Sequence, residues 1–92
     1  MYLAKVIGTV VSTSKDGTLS GTKLLIVARL TERLAADGTT EIAVDRVGAG
    51  NGETVIVSCG SAARQAGDRT DSVIDAAIVG IVDTVEVMGA LP

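Results

Sequence analysis

The sequence predicts a mainly β protein, folded as a small closed barrel of five strands with one short α-helix. Three observations carry this expectation. Thirty of the 92 residues are Val, Ile or Thr, whose branched side chains suit a pleated sheet better than a helix. The apolar residues fall into five runs separated by glycine-rich or polar stretches. A chain of this length has a large surface for its volume, and closing the sheet removes the exposed edges that short, curved strands would otherwise present. An open sandwich of the same strands is the alternative. No repeat, low-complexity run or linker divides the chain, so residues 1–92 read as a single domain.

The first run, residues 3–14 (LAKVIGTVVSTS), is apolar at both parities: Val6, Gly8 and Val10 alternate with Lys5, Ile7, Thr9 and Val11. Such a strand packs on both sides, and Gly8 marks a bend or a close backbone neighbour. Residues 15–22 (KDGTLSGT) form a loop pivoting on Gly17 and Gly21. The second run, 23–30 (KLLIVARL), is a nearly continuous apolar strand. Residues 31–36 fit either a short helical extension or more strand, and periodicity does not decide between them. Asp37-Gly38 is a hairpin-turn signal, followed by a third strand at 40–47 (TEIAVDRV). Three glycines in five residues (48–52) precede the fourth strand at 53–59 (ETVIVSC). Residues 61–67 (SAARQAG) read as the short helix, with Ser61 as its N-cap and Gly67 as its left-handed stop. Residues 68–72 read as polar loop. The fifth run spans 75–88 (DAAIVGIVDTVEVM), with Gly80 at a bend, and 89–92 form a tail.

Composition excludes most chemistry. There is no His, so neither a His-based triad nor a His-ligated metal site can form. The lone Cys59 allows no internal disulfide and no four-thiolate zinc site; it reads as a buried structural thiol with no nameable base, in keeping with a reducing cytosol. A net charge of −3 with Tyr2 as the one aromatic residue supplies neither the counterion release nor the stacking platforms that nucleic-acid binding uses. No run of eighteen apolar residues occurs, and the N-terminal residues lack the pattern of a signal peptide, so neither a membrane span nor a membrane partner is expected. No metal or cofactor is expected.

Two glycine motifs invite a nucleotide reading and fail it. Residues 48–52 have the spacing G-x-G-x-G and lead into a strand, whereas phosphate cradles use a helix N-terminus or a fixed nest of amides. Residues 17–23 (GTLSGTK) have three residues between the glycines where a phosphate-binding loop has four, and Lys and Thr are in the wrong order. Carboxylate pairs are the remaining catalytic option, with Asp45, Asp75 and Asp83 as candidate neighbours, but acid–base work needs a cleft that a filled 92-residue barrel hardly offers. One tension remains: 47% of the residues are hydrophobic, a large share for a chain with so much surface, so either the core is very efficient or part of the surface is buried against other subunits.

Taken together, residues 4–11 (AKVIGTVV), 19–27 (LSGTKLLIV), 43–53 (AVDRVGAGNGE), 55–64 (VIVSCGSAAR) and 75–85 (DAAIVGIVDTV) resemble the pentameric vertex proteins of bacterial microcompartments, the family of the ethanolamine-utilisation and carboxysome versions. The resemblance covers nearly the whole chain in order. It implies an OB-like β-barrel and a homopentamer that plugs the vertices of a polyhedral shell. It also implies hexameric shell proteins as neighbours, a cytoplasmic location in that shell, and no catalysis. An OB-type module binding nucleic acid or a small ligand is the rival reading. Within the matching motifs, Gly48, Ala49, Gly50, Asn51, Gly52 and Glu53 are candidates for a close-packed subunit boundary or the five-fold axis, where missing side chains let backbones approach. The bland alternative is an isolated turn. Asp45, Arg46 and Arg64 are candidates for ion pairs across subunits.

Overall fold

The computed structural model describes residues 1–11, 17, 22–60 and 75–89. Five strands form it: β1 (Tyr2–Val10), β2 (Lys23–Leu30), β3 (Ala36–Asp45), β4 (Thr54–Cys59) and β5 (Ala76–Ile81). They close into a barrel in the order β1-β2-β3-β5-β4, with β1 also hydrogen-bonded to β4. β3 and β5 run parallel, while the other four pairings are antiparallel. This is the five-stranded connectivity of an OB-type barrel, and closure disposes of the sandwich alternative. The expected helix at 61–67 and the loop at 68–72 lie outside the described residues.

The barrel interior follows from alternation along each strand. Ala4 and Val6 of β1, Leu25 and Val27 of β2, Ala43 of β3, Val55 and Val57 of β4, and Ala76 and Ile78 of β5 point inward and are buried in one cluster. Ala49, from the loop after β3, completes that cluster. Small and branched residues dominate because five strands enclose little volume. Each large one contributes about 1.5–3 kcal/mol through burial. A second, smaller cluster lies on the outer side of the sheet, where Val44 and Ala77 are buried with Leu24 and Val79 against them.

Two glycines sit beside ladder irregularities. The β1–β2 register slips between Val6 and Gly8, leaving Ile7 as the extra residue; the β4–β5 register slips between Ile56 and Val57, opposite Val79. At both places an isoleucine lies over the glycine: a Cβ on Gly8 would meet Ile26 Cδ1 at 3.4 Å, and one on Gly80 would meet Ile56 Cδ1 at 3.4 Å. Bulges of this kind bend and twist the strands enough to close so small a barrel.

Four boundaries differ from the sequence expectation. β1 ends at Val10 rather than Ser14, and residues 12–14 lie outside the described ones. The β2–β3 connection is a turn at residues 31–35, neither helix nor strand: Thr31 N–H donates to the Ala35 carbonyl at 2.8 Å and Leu34 N–H to the Thr31 carbonyl at 2.9 Å. Asp37-Gly38 is therefore not the hairpin turn. It lies inside β3, where the register slips between Ala28 and Leu30, Gly38 takes φ +90° and Asp37 Oδ1 accepts from Thr39 N–H at 2.8 Å. The turn signal marks a kink instead, and the third strand runs from 36 to 45 rather than 40 to 47. β5 stops at Ile81, and 82–88 carry no strand pairing despite their β-like composition.

Candidate functional site

The loop joining β3 to β4 holds most of the residues singled out by sequence. Its geometry begins with Asp45, the last residue of β3. One carboxylate oxygen, Oδ1, accepts from the N–H groups of Val47, Gly48 and Ala49 at 3.1, 3.1 and 3.2 Å. A short acidic side chain does this readily because its oxygen reaches the amides two to four residues on. The other oxygen lies 3.8 Å from Lys23 Nζ, and the Asp45 side chain is only 2% exposed. Lys23 Nζ also donates to the Ala49 carbonyl at 3.2 Å. Asp45 is thus committed within its own protomer.

The second half of the loop repeats this economy. Glu53 Oε1 accepts from Gly50 N–H at 2.6 Å, and Glu53 N–H donates to the Gly50 carbonyl at 3.2 Å. Val6 N–H then donates to the Glu53 carbonyl at 3.0 Å, and Gly52 N–H to the Val6 carbonyl at 2.8 Å. These bonds extend the β1–β4 ladder to the point where Ile7 bulges out. Gly48 and Gly52 have φ of +81° and +88°, with open space where a Cβ would stand. Their glycine identity is set by backbone conformation rather than by a close neighbour in the same chain. Gly50 has no such φ; a Cβ there would meet Glu53 Oε1 at 3.2 Å.

The structure therefore brings Asp45, Gly48, Ala49, Gly50, Gly52 and Glu53 into one self-bonded loop. Asn51 is exposed at its tip. The Arg46 backbone N–H donates to the Ile78 carbonyl at 3.3 Å, while its exposed side chain has no partner among the described residues. Arg64 lies outside the described residues. Asp75 and Asp83 are both exposed and Asp45 is engaged as above, so the three carboxylates form no acid–base site. Among the described residues no group of His, Cys, Asp or Glu side chains is placed to hold a metal ion.

Sequence reasoning missed a second polar cluster, around Tyr2. The Tyr2 hydroxyl donates to Glu41 Oε1, and the Arg29 guanidinium stacks 4.7 Å from the ring centroid. Cys59 lines the same hollow. Burial, then the bond to Glu41 and its charge, push the Tyr2 phenol well above its usual 10.0, with Arg29 opposing. Burial, then the charge of Glu41, raise the Cys59 thiol as well, so the thiol is a poor nucleophile. No local motif links residues 2, 29, 41 and 59; only the strand register does.

Residues 1–83 match the family described as "Ethanolamine utilisation protein EutN/carboxysome". The bacterial microcompartment shell vertex protein GrpN of Rhodospirillum rubrum is 74% identical over 86 residues, covering 94% of this chain and 97% of GrpN. The carboxysome shell vertex protein CcmL of Thermosynechococcus vestitus is 51% identical over 85 residues, covering 92% and 86%. The solved structure of the GrpN pentameric microcompartment shell protein from Rhodospirillum rubrum superposes with a TM-score of 0.89 at 73% identity, covering 96% of this chain and all of that one.

Proposed function

The chain belongs to the ethanolamine-utilisation EutN/carboxysome family, and from that premise we propose that it closes a polyhedral shell by seating a five-fold plug among hexameric tiles. It is a structural shell vertex protein of a bacterial microcompartment, not an enzyme, and it assembles as a homopentamer within a shell in the cytoplasm. The mechanism is geometric. Six-fold units tile a flat sheet, and a sheet acquires closed curvature only where five-fold units replace six-fold ones. A cyclic ring also needs each protomer to present two unlike patches, so that the contact repeats until it closes.

The observation that carries this reading is the 73% identical pentameric relative, which shares the fold over nearly the entire chain. The self-bonded 45–53 loop supplies a rigid rather than catalytic feature. In this reading Gly48 to Gly52 and Glu53 belong to the subunit boundary or the axis, and Arg46, whose exposed side chain has no partner among the described residues, is a candidate for an ion pair across subunits. Nothing supports the OB-type binding rival: a chain with one aromatic residue and a net charge of −3 lacks the stacking rings and the positive charge by which single strands are held.

Native mass spectrometry tests the assembly. Five chains of 9.3 kDa give a species of about 46 kDa, and a monomer or dimer at micromolar concentration contradicts the reading.

A further inference from the structure

The inward-facing positions of β2 and β3 run from one charged end of the barrel to the other. On β2 they are Lys23, Leu25, Val27 and Arg29; on β3 they are Glu41, Ala43 and Asp45. The two ends are used differently. Lys23 and Asp45 stand opposite each other in the register and pair, so that end is satisfied within the chain. At the far end Glu41 stands opposite Val27, and Arg29 lies one inward step beyond. Arg29 forms its ion pair with Asp37, 3.7 Å from Nε to Oδ2, and none with Glu41.

The two unlike charges left apart line one hollow at the barrel mouth. It holds about 240 Å³ and is also lined by Tyr2, Cys59, Thr39 and Thr40. One ring fixes both charges: the Arg29 guanidinium lies 4.7 Å from the Tyr2 centroid, and the Tyr2 hydroxyl donates to Glu41 Oε1. Burial first, and Glu41 next, push the phenol above its usual 10.0, so it keeps its proton at neutral pH and Oε1 stays occupied. Glu41 Oε2 and the terminal N–H groups of Arg29 have no hydrogen-bond partner among the described residues. The mouths of β-barrels are among the places where small-molecule sites form, and a few convergent polar groups set their specificity.

The geometry points to a binding site at this mouth for a small zwitterion, with its carboxylate on the Arg29 guanidinium and its ammonium on Glu41 Oε2. The guanidinium presents a fork of donors that matches a carboxylate, and a free carboxylate oxygen accepts from an ammonium. A bare anion meets Arg29 but is repelled by Glu41 and Asp37, while a bare cation meets Glu41 but is repelled by Arg29. The hollow is smaller than the roughly 300–1,000 Å³ of pockets for drug-sized ligands, which limits the occupant to the size of a small amino acid. The Thr39 and Thr40 hydroxyls supply donors and acceptors at its rim. Nothing in this site depends on shell closure.

Nuclear magnetic resonance titration of the isotope-labelled protein, in the oligomeric state it adopts, tests the proposal. Glycine and β-alanine are the probes, and acetate and methylammonium the single-charge controls. Saturable shifts centred on the amides of Tyr2, Arg29, Glu41 and Cys59 are expected, with a dissociation constant on the order of 1–10 mM for so few atoms. Each control should bind at least about tenfold more weakly, since each loses one charge-assisted hydrogen bond. Arg29→Gln and Glu41→Gln should each weaken glycine binding by about tenfold, with native mass and circular dichroism as in wild type. No saturation by either zwitterion at about 100 mM, or shifts centred elsewhere, overturns the inference. So does a control that binds as tightly as the zwitterions, or a folded variant that binds glycine as wild type does. If a variant misfolds, the wild-type titrations alone decide the matter.

Discussion

Lys23 and Asp45 stand opposite each other in the β2–β3 register, and the Lys23 ammonium lies 3.8 Å from a carboxylate that is almost fully buried. The other oxygen of that carboxylate holds three consecutive amides of the following loop. One acidic side chain therefore ends a strand, fixes the turn after it and neutralises the cation across the ladder.

Asp45→Ala should be destabilising by about 1–3 kcal/mol, because it leaves the amide of buried Ala49 without its acceptor and frees those of exposed Val47 and Gly48 to water. Asp45→Asn keeps one carbonyl oxygen for the amides and should lose less. Denaturant unfolding of the three proteins checks the order wild type, Asn, Ala. An alanine variant as stable as wild type would mean that water replaces the carboxylate without loss.

The phenol of Tyr2 should ionise late. Its folded value is raised above the usual 10.0 by burial first and by Glu41 second. A raised folded value means that its contribution to stability is fully present below about pH 10 and is lost as pH climbs through the folded value. Since Tyr2 is the only aromatic residue, the ultraviolet phenolate signal reports it alone. The native titration should lie above that of the unfolded chain, and Glu41→Gln should bring it down. Coincident native and unfolded curves would show that the hydroxyl is free in solution.

Leu34 occupies the left-handed region at φ 63° in the 31–35 turn, a conformation that costs a residue with a Cβ roughly 1–2 kcal/mol. Leu34→Gly removes that strain but enlarges the unfolded ensemble by about 0.4–1 kcal/mol. The net expectation from these two terms is a gain of about 0–1.6 kcal/mol, read as a small rise in the unfolding midpoint. Leu34→Val should lower it, because branching at Cβ is tolerated least at positive φ.

Ala49 and Gly50 are adjacent but should respond differently. Ala49 is fully buried in the barrel core, so Ala49→Leu overpacks it and costs about 1–3 kcal/mol of protomer stability. At Gly50 the nearest atom to a new Cβ is the flexible end of Glu53, which can yield. Gly50→Val should therefore leave the protomer folded and weaken the ring, as native mass spectrometry against urea would show. A ring of unchanged size and stability would remove Gly50 from the subunit boundary.

These positions also show what the sequence could and could not disclose. β2 and β4 were legible almost to the residue because Leu25, Val27, Val55 and Val57 alternate with less buried neighbours and are bounded by polar or glycine residues. The 31–35 turn was not, because Leu34 carries none of the Gly, Asn or Asp identity by which left-handed residues are recognised. Asp37-Gly38 did carry that identity and pointed to a real backbone irregularity, but the bulge inside β3 uses the same chemistry as a turn. The run 82–88 looked like strand because Val82, Val85 and Val87 favour extended backbone, yet after the bond from Val82 N–H to the Thr54 carbonyl at 2.8 Å it forms no ladder among the described residues. At the candidate site, the glycines of 48–52 were visible as a motif. The fan of amides on Asp45 was not, since it depends on how β3 ends. The Tyr2–Glu41 contact spans 39 residues and exists only through barrel closure.

The central claim is that this chain is the five-fold unit that closes a shell. The most direct test is to co-express the hexameric shell proteins of its microcompartment with and without it, and to image the products by electron microscopy. With the chain present, closed polyhedral particles should carry its density at their five-fold vertices; without it, the vertices should be open or the hexamers should form sheets and tubes. Closed particles of the same kind in both cases, with the chain absent from the vertices, would contradict the account.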